Sequence, residues 1–328
     1  MKTNAHWDTA IVNAIRDLTP TVRLFELTPA SGVVAWTPGS HIDVAVTIEG
    51  APDTRSYSLV GEPDPRVYRI AVKRAEPSRG GSAWMWHLAA GDEVRIASPS
   101  NHFELGHDST EYLLIAGGIG ITPLTSMAHA LATRGTPLRL IYAARQQCEL
   151  AFADDLRKLL GSRMQTFADD AGERIDFAAE FARLCSGAEA YVCGPLGMLE
   201  AAREAWAAAG RPAHRLRFET FGASGHFQTE PFWVKVPRHD VEIRVGAEET
   251  LLDALTRAGV PVLSDCQRGE CGLCALDVRE VHGRIDHRDV FFSTHERAAG
   301  RRVCACVSRV VGGGLVLDSA YRGDSPTL

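Results

Sequence analysis

Five cysteines near the C-terminus have the residue type and spacing that an iron–sulfur cluster requires. Cys266, Cys271 and Cys274 follow the pattern C-x4-C-x2-C, and Cys304 and Cys306 come about thirty residues later. A [2Fe–2S] cluster needs four thiolates, and in this plant-type spacing one short loop supplies three of them. The alternative is tetrahedral zinc, but zinc sites usually pair two short units such as C-x2-C, and the first spacing here is four. The pattern therefore predicts a [2Fe–2S] cluster.

Spacing alone leaves the fourth ligand open. Twenty-nine residues separate Cys274 from Cys304, the interval common in plant ferredoxins, and 31 separate it from Cys306. The stretch 266–309, with its internal His-Arg-Asp triplet, closely resembles the ferredoxin domain of phthalate dioxygenase reductase and vanillate demethylase reductase. In that family the last ligand directly precedes a Val-Ser-Arg-like segment, here residues 307–309. The resemblance therefore favours Cys306, with Cys304 as the alternate.

Length and composition limit the class of protein. A chain of 328 residues is too long for one compact core and predicts two or three domains. The longest apolar runs are too short to span a bilayer and the N-terminus lacks a signal-peptide pattern, so we expect a cytoplasmic protein that does not bind membranes. A net charge of −6 without a basic face argues against nucleic-acid binding. Thiols outside the cluster fit a reducing compartment; they are Cys148, Cys185, Cys193 and one of the Cys304/Cys306 pair.

Residues 1–106 carry regularly spaced β-like runs, which predict a small antiparallel barrel. Within it, Arg55-Ser56-Tyr57-Ser58 resembles the R-x-Y-S flavin signature of the ferredoxin-NADP reductase superfamily. The resemblance implies that Arg55 meets the flavin phosphate, that Tyr57 packs on the ring system and that Ser58 hydrogen-bonds near the flavin N5. Alone the match is weak, because Arg and Tyr also alternate in the ordinary core and rim of a barrel.

A second segment strengthens the flavin interpretation. Lys73 is followed by Gly80, Gly81 and Ser82, which begin a predicted short helix at 83–88. Free backbone N–H groups, the positive helix end and the Ser82 hydroxyl would suit one phosphate, although a Ser-capped helix without a ligand is the alternative. The pairing of R-x-Y-S with G-G-S about 25 residues later resembles the FMN-binding members, so FMN is favoured over FAD.

The pattern of residues 107–221 predicts a nucleotide-binding α/β domain with a parallel sheet. The apolar run 111–116 predicts a buried parallel strand, and it leads through a glycine turn into a helix. The turn resembles the pyridine-nucleotide domain of the same superfamily, and the resemblance implies that Gly118, Gly120 and Thr122 hold the pyrophosphate.

A later motif, Cys193-Gly194-Pro195, would by the same resemblance border the nicotinamide. A buried small hydrophobe is the alternative role for Cys193, and in either case we interpret it as a positioning residue rather than a nucleophile. Arg145 is the one cation immediately available to a 2′-phosphate. NADH is favoured over NADPH, mainly because FMN-containing relatives use it.

The end of this domain, residues 218–221, resembles the E-x-aromatic terminus of the superfamily. Phe221 would then be the ring that covers the flavin, and a core aromatic is the alternative. Ser58, Cys193 and Phe221 are thus the candidates for groups beside the reacting atoms. The stretch 222–231 reads as an interdomain linker.

Residues 232–328 resemble a β-grasp ferredoxin domain. An alternating strand at 241–245, an amphipathic helix at 250–259, the cysteine loop and a closing strand at 315–318 follow in that order. The predicted fold is multidomain: an antiparallel β-barrel flavin domain, an α/β nucleotide domain and an α+β ferredoxin domain.

Three redox groups on one chain imply a function. Nicotinamide gives up two electrons as hydride, an iron–sulfur cluster accepts one at a time, and a flavin can stand between them. The resemblance implies transfer from NADH to FMN, to [2Fe–2S], and then to a separate Rieske-type non-haem iron oxygenase, by a chain that is monomeric on its own. The alternative is an NAD(P)H-dependent reductase serving a haem oxygenase, ferric chelates or quinones. A redox sensor is disfavoured, since the sequence has no helix-turn-helix signal.

Overall fold

The chain divides into two compact units, Met1–Glu219 and Thr220–Leu328. This computed structural model describes residues 6–76, 80–221, 227 and 229–319. Two sheets lie in the first unit and one in the second. Within the described part of the chain, no helix has the length and apolar character needed to cross a membrane.

The first sheet of unit one is an antiparallel barrel. Its strands are β1 (Trp7–Thr19), β2 (Val22–Pro29), β3 (His41–Ile48), β4 (Ala51–Ser58), β5 (Tyr68–Lys73) and β6 (Glu93–Ala97). They are ordered β4-β3-β6-β1-β2-β5, and a backbone bridge from Leu59, just after β4, to Ile70 in β5 closes the ring. Side chains such as Phe25, Leu27 and Ile42 alternate inward and are fully buried, as the period of two along a strand requires. Helix α1 (Gly81–Trp86) packs against β3 and β5.

The second sheet of unit one is parallel. Its strands are β7 (Tyr112–Gly117), β8 (Leu138–Ala144), β9 (Met164–Ala168), β10 (Glu189–Cys193) and β11 (Leu216–Glu219), in the order β11-β10-β7-β8-β9. Its helices are α2 (Ile121–Thr133), α3 (Ala153–Leu160), α4 (Phe177–Ala182) and α5 (Leu196–Ala208). β7 and β10 are buried along their whole length, as expected for parallel strands covered on both faces. The strand order reverses between β7 and β10, which is where parallel sheets typically have a ligand-binding crevice beyond the ends of the strands.

The barrel and the parallel sheet share an interface within unit one. Hydroxyls on α2 bind barrel loops: the backbone N–H of Gly61 donates to Thr125 Oγ1 at 3.0 Å, and that of Gly39 to Ser126 Oγ at 3.2 Å. An apolar cluster lies beside them, consisting of Val22, Leu24, Val60, Ala71 and Ala151. The interface therefore fixes the crevice of the parallel sheet relative to the barrel.

The second unit is a β-grasp fold. Its strands are β12 (Phe232–Val236), β13 (Val241–Val245), β14 (Ala275–Asp286), β15 (Arg302–Cys304) and β16 (Arg309–Asp318), in the order β13-β12-β16-β14-β15. β12 and β16 are parallel, and the other pairs are antiparallel. Helix α6 (Leu251–Arg257) is capped by Thr250, whose Oγ1 accepts a hydrogen bond from the Asp253 N–H at 3.0 Å, and α7 (Thr294–Ala299) begins with a capping box.

The predicted fold class is confirmed: a barrel, a parallel α/β sheet and a β-grasp sheet follow one another along the chain. The two compact units divide at residues 219 and 220. Most of the predicted linker, at 222–226 and 228, lies outside the described residues.

Candidate functional site

The cysteine loop runs from the end of α6 to β14, and two glycines let it pack closely. Gly269 and Gly272 have φ angles of +76° and +70°, which L side chains rarely adopt. A Cβ at Gly269 would lie 2.6 Å from Val307 Cγ2 and 2.8 Å from the Cα of Asp289, and one at Gly272 would collide with the Phe291 ring. Only glycine fits at these two positions, so the loop can fold back on the segments beneath it.

This packing arranges the cysteines as two groups. Cys266 and Cys271 form the first group, and the backbone N–H groups of Arg268 and Cys271 donate to Cys266 Sγ at 3.4 Å each. In the second group, Cys274 Sγ lies 3.2 Å from Cys306 Sγ, and the Cys274 thiol also hydrogen-bonds with Cys304. Burial raises the pKa of the Cys266 thiol, and the two N–H donors oppose that shift. N–H groups directed at sulfur are also among the features that tune iron–sulfur clusters.

The thiols form two groups, which suits a cluster with two irons. A structural zinc ion needs four donors around one centre, whereas two irons can take two thiolates each. The donor set therefore fits a [2Fe–2S] cluster.

Both candidates for the fourth ligand lie beside Cys274. Cys304 belongs to β15 and is fully buried in the apolar core of unit two, although its thiol also hydrogen-bonds to Cys274. Cys306 lies beyond the strand, where the Gly269 N–H donates to its thiol and the thiol of Cys266 acts on its pKa. The hydrogen bond with Cys274 raises the pKa of Cys306 most, and burial raises it further. Cys306 thus contacts both halves of the loop, whereas Cys304 contacts Cys274, and the choice of Cys306 as the fourth ligand stays a prediction.

In the barrel, the structure brings Arg55 and Gly81 together. A Cβ at Gly81 would collide with the Arg55 side chain, so the guanidinium lies at the start of α1. Arg55 Nη1 also lies 2.7 Å from Asp53 Oδ2, a carboxylate that sequence analysis missed. Ser82 Oγ accepts a hydrogen bond from the Ala75 N–H at 3.2 Å. Arg55, Gly81 and Ser82 are thus close together, as a phosphate site on this turn requires.

The remaining flavin candidates have different environments. Tyr57 is half-buried against the barrel core, and burial raises its pKa, whereas Ser58 is buried and Ser56 is exposed. Lys73 Nζ forms an ion pair with Glu149 Oε2 at 3.0 Å. Lys73 therefore links β5 to the segment after β8, a pairing that no sequence motif indicated.

The two nucleotide motifs meet at the ends of β7 and β10. A Cβ at Gly120 would collide with the carbonyl oxygen of Cys193, and one at Gly117 would lie 2.6 Å from Pro195 Cδ. A Cβ at Gly194 would lie 3.1 Å from the Cα of Gly117. The backbones touch because these residues lack side chains, and the contact forms one wall of the crevice.

Other nucleotide candidates differ in how they face this crevice. Gly118 has a φ of +55° and open space where a Cβ would lie. Thr122 is buried, and its hydroxyl donates to the Ile119 carbonyl at 2.9 Å. This hydrogen bond stabilises the N-terminus of α2. Cys193 is fully buried, which fits both a positioning residue and a small hydrophobic residue of the core, and Arg145 is exposed after β8.

Phe221 belongs to the second unit and is half-buried. The residue before it is bound to the cysteine loop, since the N–H of Thr220 donates to Glu270 Oε1 at 2.8 Å. Sequence analysis missed Glu270, because an acidic residue between cysteines resembles an ordinary solvated side chain. The place of Phe221 over a flavin stays a prediction.

Comparison with known families agrees with the two motif-bearing regions. Residues 234–311 match the model of the 2Fe-2S iron-sulfur cluster binding domain, and residues 114–204 match that of the oxidoreductase NAD-binding domain.

Curated relatives extend the likeness over nearly the whole chain. The chain is 42% identical to the phenoxybenzoate dioxygenase subunit beta of Ectopseudomonas oleovorans, over 90% of this chain and 92% of that protein. It is 36% identical to the heme-dependent oxidative N-demethylase beta subunit of Ectopseudomonas mendocina (strain ymp), over 94% of this chain and 97% of that protein.

Solved structures show the same arrangement. Phthalate dioxygenase reductase matches with a TM-score of 0.75 and 31% identity, covering 95% of this chain and 98% of that one. An intact self-sufficient cytochrome P450 monooxygenase matches with a TM-score of 0.66 and 34% identity. The match covers 95% of this chain but 41% of the P450 chain.

Fold and site together define an oxidoreductase with an NAD-binding domain and a [2Fe–2S] domain. The chain belongs to the family of iron–sulfur flavoprotein reductases that includes phthalate dioxygenase reductase. The resemblance predicted from the cysteine, R-x-Y-S and glycine motifs is thereby confirmed, and a flavin follows from the family.

The first prediction concerns the fourth ligand. We expect Cys306→Ser to abolish the cluster and Cys304→Ser to keep it, because a serine hydroxyl is a poor substitute for a soft thiolate. Iron and acid-labile sulfide content, together with the visible absorbance of the purified variants, measures the outcome. Loss of the cluster from Cys304→Ser and its retention in Cys306→Ser would show that the interval from Cys274 matters more than the local motif.

The second prediction concerns the crevice wall. Gly120→Ala should push the two nucleotide motifs apart, lowering the free energy of unfolding by about 1–3 kcal/mol and raising the KM for NADH about tenfold. Gly135→Ala is the matched control: its φ is +66° with open space around a Cβ, so it should cost about 1–2 kcal/mol of stability without changing KM. Urea unfolding and NADH-dependent ferricyanide reduction measure the two effects. Equal KM values for both variants would contradict this role for Gly120.

Proposed function

We propose that this chain is the reductase component of a Rieske-type non-haem iron oxygenase system and that it uses NADH, FMN and a [2Fe–2S] cluster. The observation that carries the proposal is the two groups of thiols that meet at a loop whose edge is exposed, on a chain that also has a nucleotide crevice. The names of relatives support it, since one is a dioxygenase subunit and another a phthalate 4,5-dioxygenase reductase subunit.

The bound groups supply the redox chemistry. Nicotinamide donates two electrons, the cluster carries one, and a flavin can exchange either one or two electrons. The residues of the chain bind and orient these groups. The backbone contact between Gly120 and Cys193 shapes the crevice for the nicotinamide, and the loop from Cys266 to Cys274 holds three thiolates.

FMN is the flavin that the barrel supports best. The Arg55 guanidinium lies on Gly81, so a cation and the N–H groups at the start of α1 face the same place. One phosphate monoester is satisfied by one guanidinium and a few N–H or O–H donors, such as the Ser82 hydroxyl. NADH is proposed over NADPH because Arg145, on an exposed turn, is the one cation directly after β8.

The exposed edge of the cluster loop supports transfer to a separate protein. Cys271 is exposed, Leu273 beside it is 46% exposed, and Phe291, whose ring packs on Gly272, is 38% exposed. Transient electron-transfer complexes use small interfaces, typically below ~1,200 Å². A small apolar edge next to a ligand suits such an encounter.

A second candidate acceptor is a haem oxygenase. It is favoured by the relative that is the beta subunit of a heme-dependent oxidative N-demethylase and by the likeness to part of a self-sufficient P450. In this alternative the chain binds the same redox groups and transfers electrons by the same route, and only the acceptor protein differs. Electron transfer to purified Rieske and haem oxygenase components, compared at equal concentration, distinguishes the two.

The third prediction tests the order of electron flow. On anaerobic mixing of the cluster-loaded protein with NADH in a stopped-flow instrument, we expect the flavin absorbance to bleach first and the cluster absorbance to fall afterwards, faster than with NADPH. Cys306→Ser is the matched control and should show the first phase alone. A flavin that bleaches while the cluster stays oxidised would contradict the proposed route.

The fourth prediction tests the phosphate site. Arg55→Gln should weaken FMN binding about tenfold, since a charge-assisted hydrogen bond contributes about 1.5–3 kcal/mol, and Arg55→Lys should recover part of the loss. Asp53→Asn removes the carboxylate that now pairs with Arg55 and should leave FMN affinity equal or higher. Quenching of FMN fluorescence on binding to the apo-flavoprotein gives the three dissociation constants. Unchanged FMN affinity in Arg55→Gln would place the phosphate elsewhere.

A further inference from the structure

A buried charged segment lies beneath the cysteine loop. Asp286, His287, Arg288 and Asp289 are consecutive, and each is at most 7% exposed. Burying a charge is costly unless partners compensate it. Arg288 and Asp286 compensate one another, with Arg288 Nε 2.7 Å from Asp286 Oδ2.

Asp289 is held in a different way, mainly by hydrogen-bond donors. The N–H of Phe292 donates to its Oδ2 at 2.9 Å, and the hydroxyl of Ser308 to its Oδ1 at 3.2 Å. His287 Nδ1 lies 3.4 Å from the same Oδ1. Burial alone would raise the pKa of Asp289, but the hydrogen bonds from His287 and Phe292, together with the nearby positive charge of Arg297, lower it below the ordinary value. The carboxylate is therefore a fully buried negative charge, held by hydrogen-bond donors and with Arg297 as a neighbouring cation.

This charge lies between the two chain segments that supply the thiols. On one side, the Cα of Asp289 is so close to Gly269 that a side chain there would not fit, and the N–H groups of Val290 and Phe291 donate to the Gly269 carbonyl at 3.0 and 3.1 Å. On the other side, Ser308 follows Cys306 by two residues. The charge of Asp289 also acts on the neighbouring thiol of Cys304, whose pKa it helps to raise.

We propose that Asp289 sets the reduction potential of the cluster: its buried carboxylate opposes the arrival of an electron and keeps the potential low. Reduction adds a negative charge to the cluster, and a fixed negative charge in a medium of low effective dielectric makes that step less favourable. The inference rests on the [2Fe–2S] cluster of the proposed function and deepens it, because a low potential drives electrons on to the next acceptor.

The test is the reduction potential of the cluster-loaded full-length protein, measured by anaerobic redox titration with detection by electron paramagnetic resonance. Asp289→Asn keeps the shape and removes the charge, so it should favour the reduced cluster about tenfold, a rise of about 59 mV for one electron. Asp289→Glu should keep the original potential. Asp277→Asn is the matched control, because Asp277 is exposed on β14 of the same unit, and it should cause no shift.

Ser308→Ala separates an electrostatic role from a structural one. It leaves the charge in place, removes a donor that partly neutralises it, and also removes the acceptor of the Arg288 N–H, so the potential should fall by a two- to threefold change in the reduction equilibrium. A purely structural Asp289 would shift the potentials of Asp289→Asn and Ser308→Ala in the same direction.

An unchanged or lower potential in Asp289→Asn overturns the inference. If Asp289→Asn does not retain the cluster, the sign for Ser308→Ala decides: a fall supports the inference, and an unchanged or raised potential overturns it. Iron and sulfide content of the unmodified protein keeps the two proposals apart. A protein without a cluster defeats the proposed function, whereas a loaded protein whose variants do not shift defeats only the role of Asp289.

Discussion

Close contact of backbone with backbone, or of backbone with a side chain, is the constraint on which each site in this protein depends. At Gly269, Gly120 and Gly81 the space of a Cβ is already filled by the chain or by a neighbouring side chain. At Gly269 and Gly120 the neighbouring atoms include backbone, so these approaches are possible only at glycine, whereas at Gly81 the Arg55 side chain would have to move. In each case the contact lies beside residues for which we propose binding of a redox group or its phosphate.

The cysteine loop shows how packing and electrostatics act together. Its thiols pair because the loop folds onto the segment that follows β14, and that same segment contains buried charges. Ion pairs and hydrogen bonds must satisfy these charges, or the segment could not be buried. The contacts that hold the loop in place thus also set the electric field at the cluster, which links the stability of unit two to its redox chemistry.

In the first unit, the order of the strands brings the site residues together. The motifs around Gly120 and Cys193 are more than seventy residues apart in the chain, yet they touch because β7 and β10 are adjacent parallel strands. Parallel strands end at the same edge, and the reversal of strand order leaves a crevice there. The barrel adds hydrogen bonds to α2 and an ion pair from Lys73 to Glu149, so the crevice is held beside the barrel.

The sequence by itself determined the family, the fold class and the presence of a [2Fe–2S] domain and an NAD-binding domain. These follow from local signals: the spacing of Cys266, Cys271 and Cys274, the glycine turn after β7, and strand periodicity. Such signals can be recognised in the sequence because the residues that produce them are near neighbours in the chain.

Only the tertiary structure decided which distant residues act together. The grouping of the thiols, the ion pair of Lys73 with Glu149 and the enclosure of Asp289 all depend on contacts between separate elements. The His-Arg-Asp triplet was visible in the sequence, but a charged triplet is usually solvated, and its role emerged only once its burial was known. Burial and long-range pairing are properties of the packed chain, and no local pattern encodes them.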